Sequence, residues 1–143
     1  MREMFVTHHV LRFLNVESDT PKELVKKAMD TRGALDAYMA NSWLTVAMNP
    51  DEKPPHTQLA RNKDVSDGIW SFRIRDPKPH VRVLGAFADR DHFVAIDYRG
   101  RDGLDFDKAV EATLDAWGAL FPGISPITGD NIELYLSDRY RLV

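Results

Sequence analysis

The sequence contains no cysteine, which excludes a disulfide scaffold, a thiolate metal site and a cysteine nucleophile. No apolar run approaches the roughly 18 residues that a membrane span needs. Histidines and arginines interrupt the apolar residues of the N-terminal segment MREMFVTHHVLRFLN, so no signal-peptide core is visible. These features together favour a cytoplasmic protein that has no membrane partner.

Several catalytic signatures are also absent. The sequence has no phosphate-binding Walker loop, no dinucleotide fingerprint, no nucleophile elbow and no HExxH motif. The adjacent pair His8 and His9 invites a metal interpretation, but neighbouring residues of a strand face opposite sides and cannot readily share one ion. We therefore predict that the protein uses no metal and no cofactor.

The length of 143 residues and the apolar fraction of 43% suit one compact domain over residues 1–143. The net charge is −3, yet residues 61–101 contain nine Lys or Arg and only six Asp or Glu. A local basic excess can attract anionic ligands in an acidic protein. Ordinary scatter of surface charge is the other interpretation, and the counts alone leave both open.

Three predicted strands follow one another along residues 69–101, separated by the proline-rich turn DPKP and by an Asp-Arg-Asp turn. Side chains alternate between the two faces of a strand, so residues 69–75 predict a sheet with one apolar and one cationic face. The apolar face carries Trp70, Phe72 and Ile74, and the polar face carries Ser71, Arg73 and Arg75.

The remaining segments predict a strand, two helices, a loop, a third helix and a last strand. Thr20 and Glu23 form a capping box around Pro21, which predicts a helix that ends near Gly33. We place the elements at 4–14, 20–33, 34–48, 49–68, 104–120 and 131–136. The order β-α-α-β-β-β-α-β predicts an α+β fold, with a mainly antiparallel sheet of four or five strands, a helical hairpin and a further helix.

The predicted core includes Leu24, Met39, Trp43, Val110 and Trp117 beside the apolar face of the sheet. Residues 121–143 follow the third helix as an additional C-terminal tail.

The central motifs resemble those of the RelE/HigB-like toxin superfamily, particularly its phage-derived branch. Members of that superfamily have a strand, two helices and a meander containing G-L-[YW]-E-L-R, then Y-R-V, then an apolar strand that ends in a basic turn. The corresponding segments here are GIWSFR at 68–73, HVRV at 80–83 and FVAIDYRGR at 93–101. The chain departs from the superfamily in its net acidic charge and in its additional tail.

The resemblance implies a toxin-like RNA-binding protein that cleaves mRNA on the ribosome without a metal, with RNA or the ribosome and an antitoxin protein as partners. In such a reaction the 2′-hydroxyl attacks the adjacent phosphate, which requires proton transfer and fixed cations. The candidate catalytic residues are Arg73, His80, Arg82 and Tyr98. The candidate RNA-binding residues are Arg75, His92, Arg99 and Arg101.

Each of these residues also has a purely structural interpretation. Arg73 can pair with Asp76 or Asp97, Tyr98 can fill the edge of a sheet, and the histidines can simply be solvated. A different class of function therefore stays open: a non-enzymatic phage or mobile-element protein that acts by protein–protein contact, as a virion assembly component or a host-protein inhibitor. An antitoxin or immunity-type partner is a third hypothesis.

Overall fold

The computed structural model describes residues 1–143 and contains three α-helices and seven β-strands. The helices are α1 (His8–Leu14), α2 (Lys27–Met39) and α3 (Phe106–Leu120). The strands are β1 (Glu3–Val6), β2 (Leu44–Ala47), β3 (Leu59–Arg61), β4 (Ile69–Ile74), β5 (Val81–Asp89), β6 (His92–Gly100) and β7 (Tyr140–Leu142). Short 3₁₀ turns lie at Lys22–Leu24, Val65–Asp67 and Ile132–Leu134. None of the helices combines the length and the apolar character that a membrane crossing requires.

All seven strands form one mixed sheet in the order β1-β6-β5-β4-β3-β2-β7. Strands β3 to β6 pair antiparallel, whereas β1 pairs parallel with β6, and β2 pairs parallel with both β3 and β7. The chain is α+β, but the predicted sheet of four or five mainly antiparallel strands is wrong. Parallel pairing depends on long connections, and the local sequence pattern carries no signal for it.

The predicted strand over 4–14 is wrong in its second half. Strand β1 ends at Val6 because Thr7 is the N-cap of α1, and the Thr7 Oγ1 accepts a hydrogen bond from the Val10 amide at 3.3 Å. A threonine at this position satisfies one of the free amides of a helix N-terminus. The cap therefore starts a helix in a segment whose composition favours a strand.

The predicted helical hairpin over 20–48 is also wrong. The capping box does not form, since the buried Thr20 hydroxyl has no hydrogen-bond partner and α2 begins only at Lys27. Gly33 lies inside α2 rather than at its end, and the chain then continues into strand β2. Met39 and Trp43 were expected in the core, but they are 38% and 52% exposed because the helix ends between them.

The three strands predicted along 69–101 and the helix predicted at 104–120 are confirmed as β4, β5, β6 and α3. The last predicted strand, at 131–136, is instead a 3₁₀ turn that buries Ile132, Tyr135 and Leu136. Residues 121–143 thus contribute side chains to the core, and their end forms the edge strand β7.

The sheet separates two apolar clusters. The larger cluster contains Trp70 and Phe72 of β4 with residues of α1 and α2. The smaller cluster lies on the opposite face, where Ile69, Leu84 and Val94 pack against α3. Helix α3 covers only part of that face, so the remaining part of β3, β4 and β5 stays open for polar side chains.

The close approach of β5 and β6 generates a stability prediction. A Cβ on Gly85 would lie 1.9 Å from the Val94 carbonyl oxygen and 2.8 Å from the Phe93 ring. We expect Gly85→Ala to lower the free energy of unfolding by about 3 kcal/mol, the upper end of overpacking costs. Urea denaturation followed by circular dichroism measures this change.

Gly118 is the matched control, because it lies in α3 and a Cβ there would meet no atom within 4 Å. Gly118→Ala should raise the free energy of unfolding by about 1 kcal/mol through helix propensity. Equal effects of the two substitutions would contradict the packing argument.

Candidate anion-binding site

A row of three arginines crosses the open part of the sheet. Arg73 of β4 lies directly opposite Arg82 of β5, and Arg82 lies opposite Arg99 of β6. Side chains at directly opposed positions share a face with their Cβ atoms about 5 Å apart, and like charges there destabilise the pairing. The arrangement therefore has an electrostatic cost that a bound anion would remove.

The first two arginines belong to a concave cavity of about 570 Å³, here called the cationic pocket. Six cationic side chains line it: Lys53, Arg73, Arg75, Lys78, Arg82 and Arg101. With Asp51 and Asp102 also present and His80 neutral, the formal charge of the lining is +4. None of the nine salt bridges in the structure involves any of the six cations.

Arg82 is the most deeply placed of these cations. Arg82 is only 4% exposed. Its guanidinium donates one hydrogen bond, to the Val81 carbonyl at 3.2 Å. Burial, together with the charges of Arg73, Arg101 and Arg75, lowers the pKa of Arg82 to about 10. The guanidinium therefore stays charged at neutral pH in an environment that disfavours the charge.

Arg73 fixes the loop that closes one side of the pocket. Its guanidinium donates hydrogen bonds to the carbonyls of Pro54 and Thr57, at 3.1 and 3.3 Å. This loop carries Lys53 into the pocket, where desolvation and the charges of Arg73 and Arg82 lower the pKa of the lysine. Lys53 was not among the residues predicted from the sequence, although the proline-rich loop that holds it was visible.

The start of α3 also borders the pocket. The Asp105 carboxylate caps the helix by accepting a hydrogen bond from the Lys108 amide at 3.2 Å. This places Phe106 at the pocket, with the Arg101 guanidinium 5.0 Å and the Lys53 ammonium 5.8 Å from the centre of its ring. Phe106 was not among the site residues predicted from the sequence.

His80 is the one imidazole in the pocket. Its side chain is 13% exposed, and its Nε2 lies 3.3 Å from the Asp76 carboxylate. The His80 carbonyl also accepts a hydrogen bond from the Arg101 amide at 2.9 Å, which joins the ends of β5 and β6 at the pocket. An imidazole therefore lies in the same pocket as the arginines.

A second cavity of about 590 Å³ adjoins the pocket and shares His80, Arg101 and Asp102 with it. Tyr98 and Arg99 line this second cavity and not the cationic pocket. The two adjoining cavities at the end of β6 are together called the groove here.

The structure places three predicted site residues outside the pocket. Tyr98 is 8% exposed and stacks on the Phe13 ring at 4.2 Å, and burial raises the pKa of its hydroxyl. The Nε of Arg99 donates to the Asp97 carboxylate at 2.8 Å. His92 lies at the far end of β5 and β6, where its Nε2 is 3.2 Å from the Glu3 carboxylate.

Sequence reasoning also missed a histidine–carboxylate pair at the second cavity. The Nε2 of His9 lies 3.0 Å from Asp97, and the His9 ring stacks on Tyr98 with 4.8 Å between centroids. Only the fold brings these residues together, since they are far apart in the sequence. No group of three or more histidine and carboxylate side chains is arranged to hold a metal ion.

Comparisons with protein-family models, with curated proteins and with solved structures found no match to this chain.

Arg82 is buried without a carboxylate partner, so we expect it to lower the stability of the fold while its donors stay free for an anion. We expect Arg82→Met to raise the melting temperature by about 3 °C, because about 1 kcal/mol of repulsion and desolvation is removed from a domain of this size. Differential scanning calorimetry without added anions measures the shift.

Arg61 is the matched control, since it is 6% exposed but donates to the carbonyls of Met48 and Gly129 and to the Asp130 carboxylate. Arg61→Met should lower the melting temperature because it removes three hydrogen bonds that a buried guanidinium makes, one of them to a carboxylate. A lower melting temperature for Arg82→Met would show that Arg82 has a structural role instead.

Proposed function

We propose that this protein binds RNA in the groove and cleaves it as a toxin-like, metal-independent endoribonuclease of the cytoplasm. The observation that carries the proposal is a concave pocket lined by six cations that have no carboxylate partner, one of them a buried guanidinium. A positive pocket in a protein of net charge −3 concentrates anions locally.

Several features favour a chain of phosphates over a single small anion. The six cations line one pocket, Arg101 lines the second cavity as well, and Arg99 lines the second cavity beside it. Arginine binds phosphate oxygens through two parallel hydrogen bonds, which suits successive phosphates along a strand. An RNA strand along this path would contact both cavities.

The proposed chemistry uses Arg82 and His80, which line the same pocket. The 2′-oxygen attacks the adjacent phosphorus and releases its proton to an imidazole, and the bond from phosphorus to the 5′-oxygen breaks as that oxygen takes up a proton. The products are a 2′,3′-cyclic phosphate and a 5′-hydroxyl. Arg82 and Arg101 stabilise the phosphorane charge, and His80 is the proton-transfer group of this proposal.

RNA affinity is the first test. We expect Arg82→Ala to weaken binding of a labelled single-stranded oligoribonucleotide by at least about tenfold, because it removes a partly dehydrated phosphate contact. The slope of log affinity against log salt should also decrease by about one. Fluorescence anisotropy over a series of salt concentrations measures both quantities.

Arg90 provides the control, because it is an exposed arginine in the turn at the far end of β5 and β6. Arg90→Ala should leave the affinity and the salt slope unchanged. Equal losses from both substitutions would indicate attraction to overall charge rather than a site.

Cleavage and toxicity are the second test. If induced expression arrests growth, Arg82→Ala should relieve the arrest more than His92→Ala, because loss of one fixed cation at a phosphorane raises the barrier by about 3–4 kcal/mol. His80→Asn should abolish the 2′,3′-cyclic phosphate ends while RNA binding persists. Growth curves and RNA-end mapping measure these outcomes in variants expressed at equal levels.

Full toxicity of a folded Arg82→Ala variant would remove this residue from the active site. Absence of RNA binding and of cleavage in the unmodified protein would reject the proposal and favour an action through protein–protein contact.

A further inference from the structure

Phe106 has different surroundings from the other aromatic residues of α3 and of the segment that follows the helix. Trp117 belongs to the smaller apolar cluster, and Phe121 packs against that cluster. Phe106 is half-buried but belongs to neither cluster, and it lines the cationic pocket instead. Its aromatic ring therefore does not serve to fill the core.

The neighbours of the Phe106 ring are cations that lack carboxylate partners. Arg101 and Lys53 lie near the ring at distances typical of cation–π contacts, 5.0 and 5.8 Å from its centre. Both cations also line the pocket and can turn towards an anion that enters it. Once they do so, the face of the ring becomes available to a planar group.

We propose that Phe106 is a stacking platform for one nucleobase, so that the pocket selects single-stranded RNA over duplex RNA and over polyanions without bases. This inference rests on the proposed RNA binding and specifies the form of RNA that is bound. The phosphate lies among Arg82, Arg101 and Lys53, and the base of the same strand lies on Phe106. Aromatic side chains stack on unpaired bases of any type.

The shape of the pocket supports this selectivity. Its floor contains Arg82, Asn62 and Ser71, which are only 4%, 6% and 2% exposed. A volume of about 570 Å³ accommodates a single nucleotide. A phosphate of a rigid duplex stays at the rim, whereas a splayed single strand can bring its phosphate to Arg82 and its base to Phe106.

The test compares three probes of equal phosphate number: single-stranded RNA, duplex RNA and inorganic polyphosphate. We expect Phe106→Leu to weaken binding of single-stranded RNA about tenfold, the effect of losing one base stack, and to leave binding of polyphosphate unchanged. Phe106→Trp should retain the affinity for single-stranded RNA. Phe5→Leu, at a phenylalanine that is 66% exposed on edge strand β1, should change none of the three affinities.

The outcomes separate this inference from the proposal on which it rests. RNA binding that is equal in Phe106→Leu and the unmodified protein would overturn the stacking role alone, as would equal loss of affinity for RNA and polyphosphate. Duplex RNA that binds as tightly as single-stranded RNA would do the same. Absence of all RNA binding by the unmodified protein would overturn the proposed function together with this inference.

Discussion

The antiparallel register of β4, β5 and β6 is the constraint on which both the core and the groove depend. Side chains alternate along a strand, so a shift of one residue would exchange the two faces. The observed register places Trp70 and Phe72 in the larger cluster and aligns Arg73 with Arg82 on the other face. The same pairing that buries the aromatic rings therefore also sets the cations side by side.

The extent of α3 determines where this polar face stays open. The helix covers Ile69, Leu84 and Val94 and begins at Phe106, which lines the cationic pocket. Burying a charge without a partner costs free energy, and Arg82 carries that cost in the absence of a ligand. Proteins tolerate such local conflicts mainly at functional sites. A buried cation without a partner therefore indicates a functional role for Arg82 rather than a stabilising one.

The sequence predicted those parts of the fold that local patterns encode. Alternation identified β4 and the shared face of Arg73 and Arg75, and two turns delimited β5 and β6. Helix α1 and the short strands β2, β3 and β7 were missed. Long-range contacts hold the segments that lead into β2 and β7, where the buried Arg2 guanidinium donates to the carbonyls of Ser42, Asp138 and Arg139. Lys53 and Phe106 were missed as site residues for the same reason, since a loop and a helix bring them to the pocket.

The two opposed arginines of β4 and β5 differ in what they contact, and this difference bears on how the pocket binds. Arg73 already donates to two carbonyls of the loop that carries Lys53, whereas Arg82 donates only to the carbonyl of its sequence neighbour. Arg73 thus holds the wall of the pocket in place before a ligand arrives, and Arg82 keeps donors free for it. Because the wall is already ordered, little of the binding free energy is lost in ordering the loop. Cations that are fixed in this way stabilise the negative charge of a bound ligand. They also stabilise negative charge that develops during a reaction.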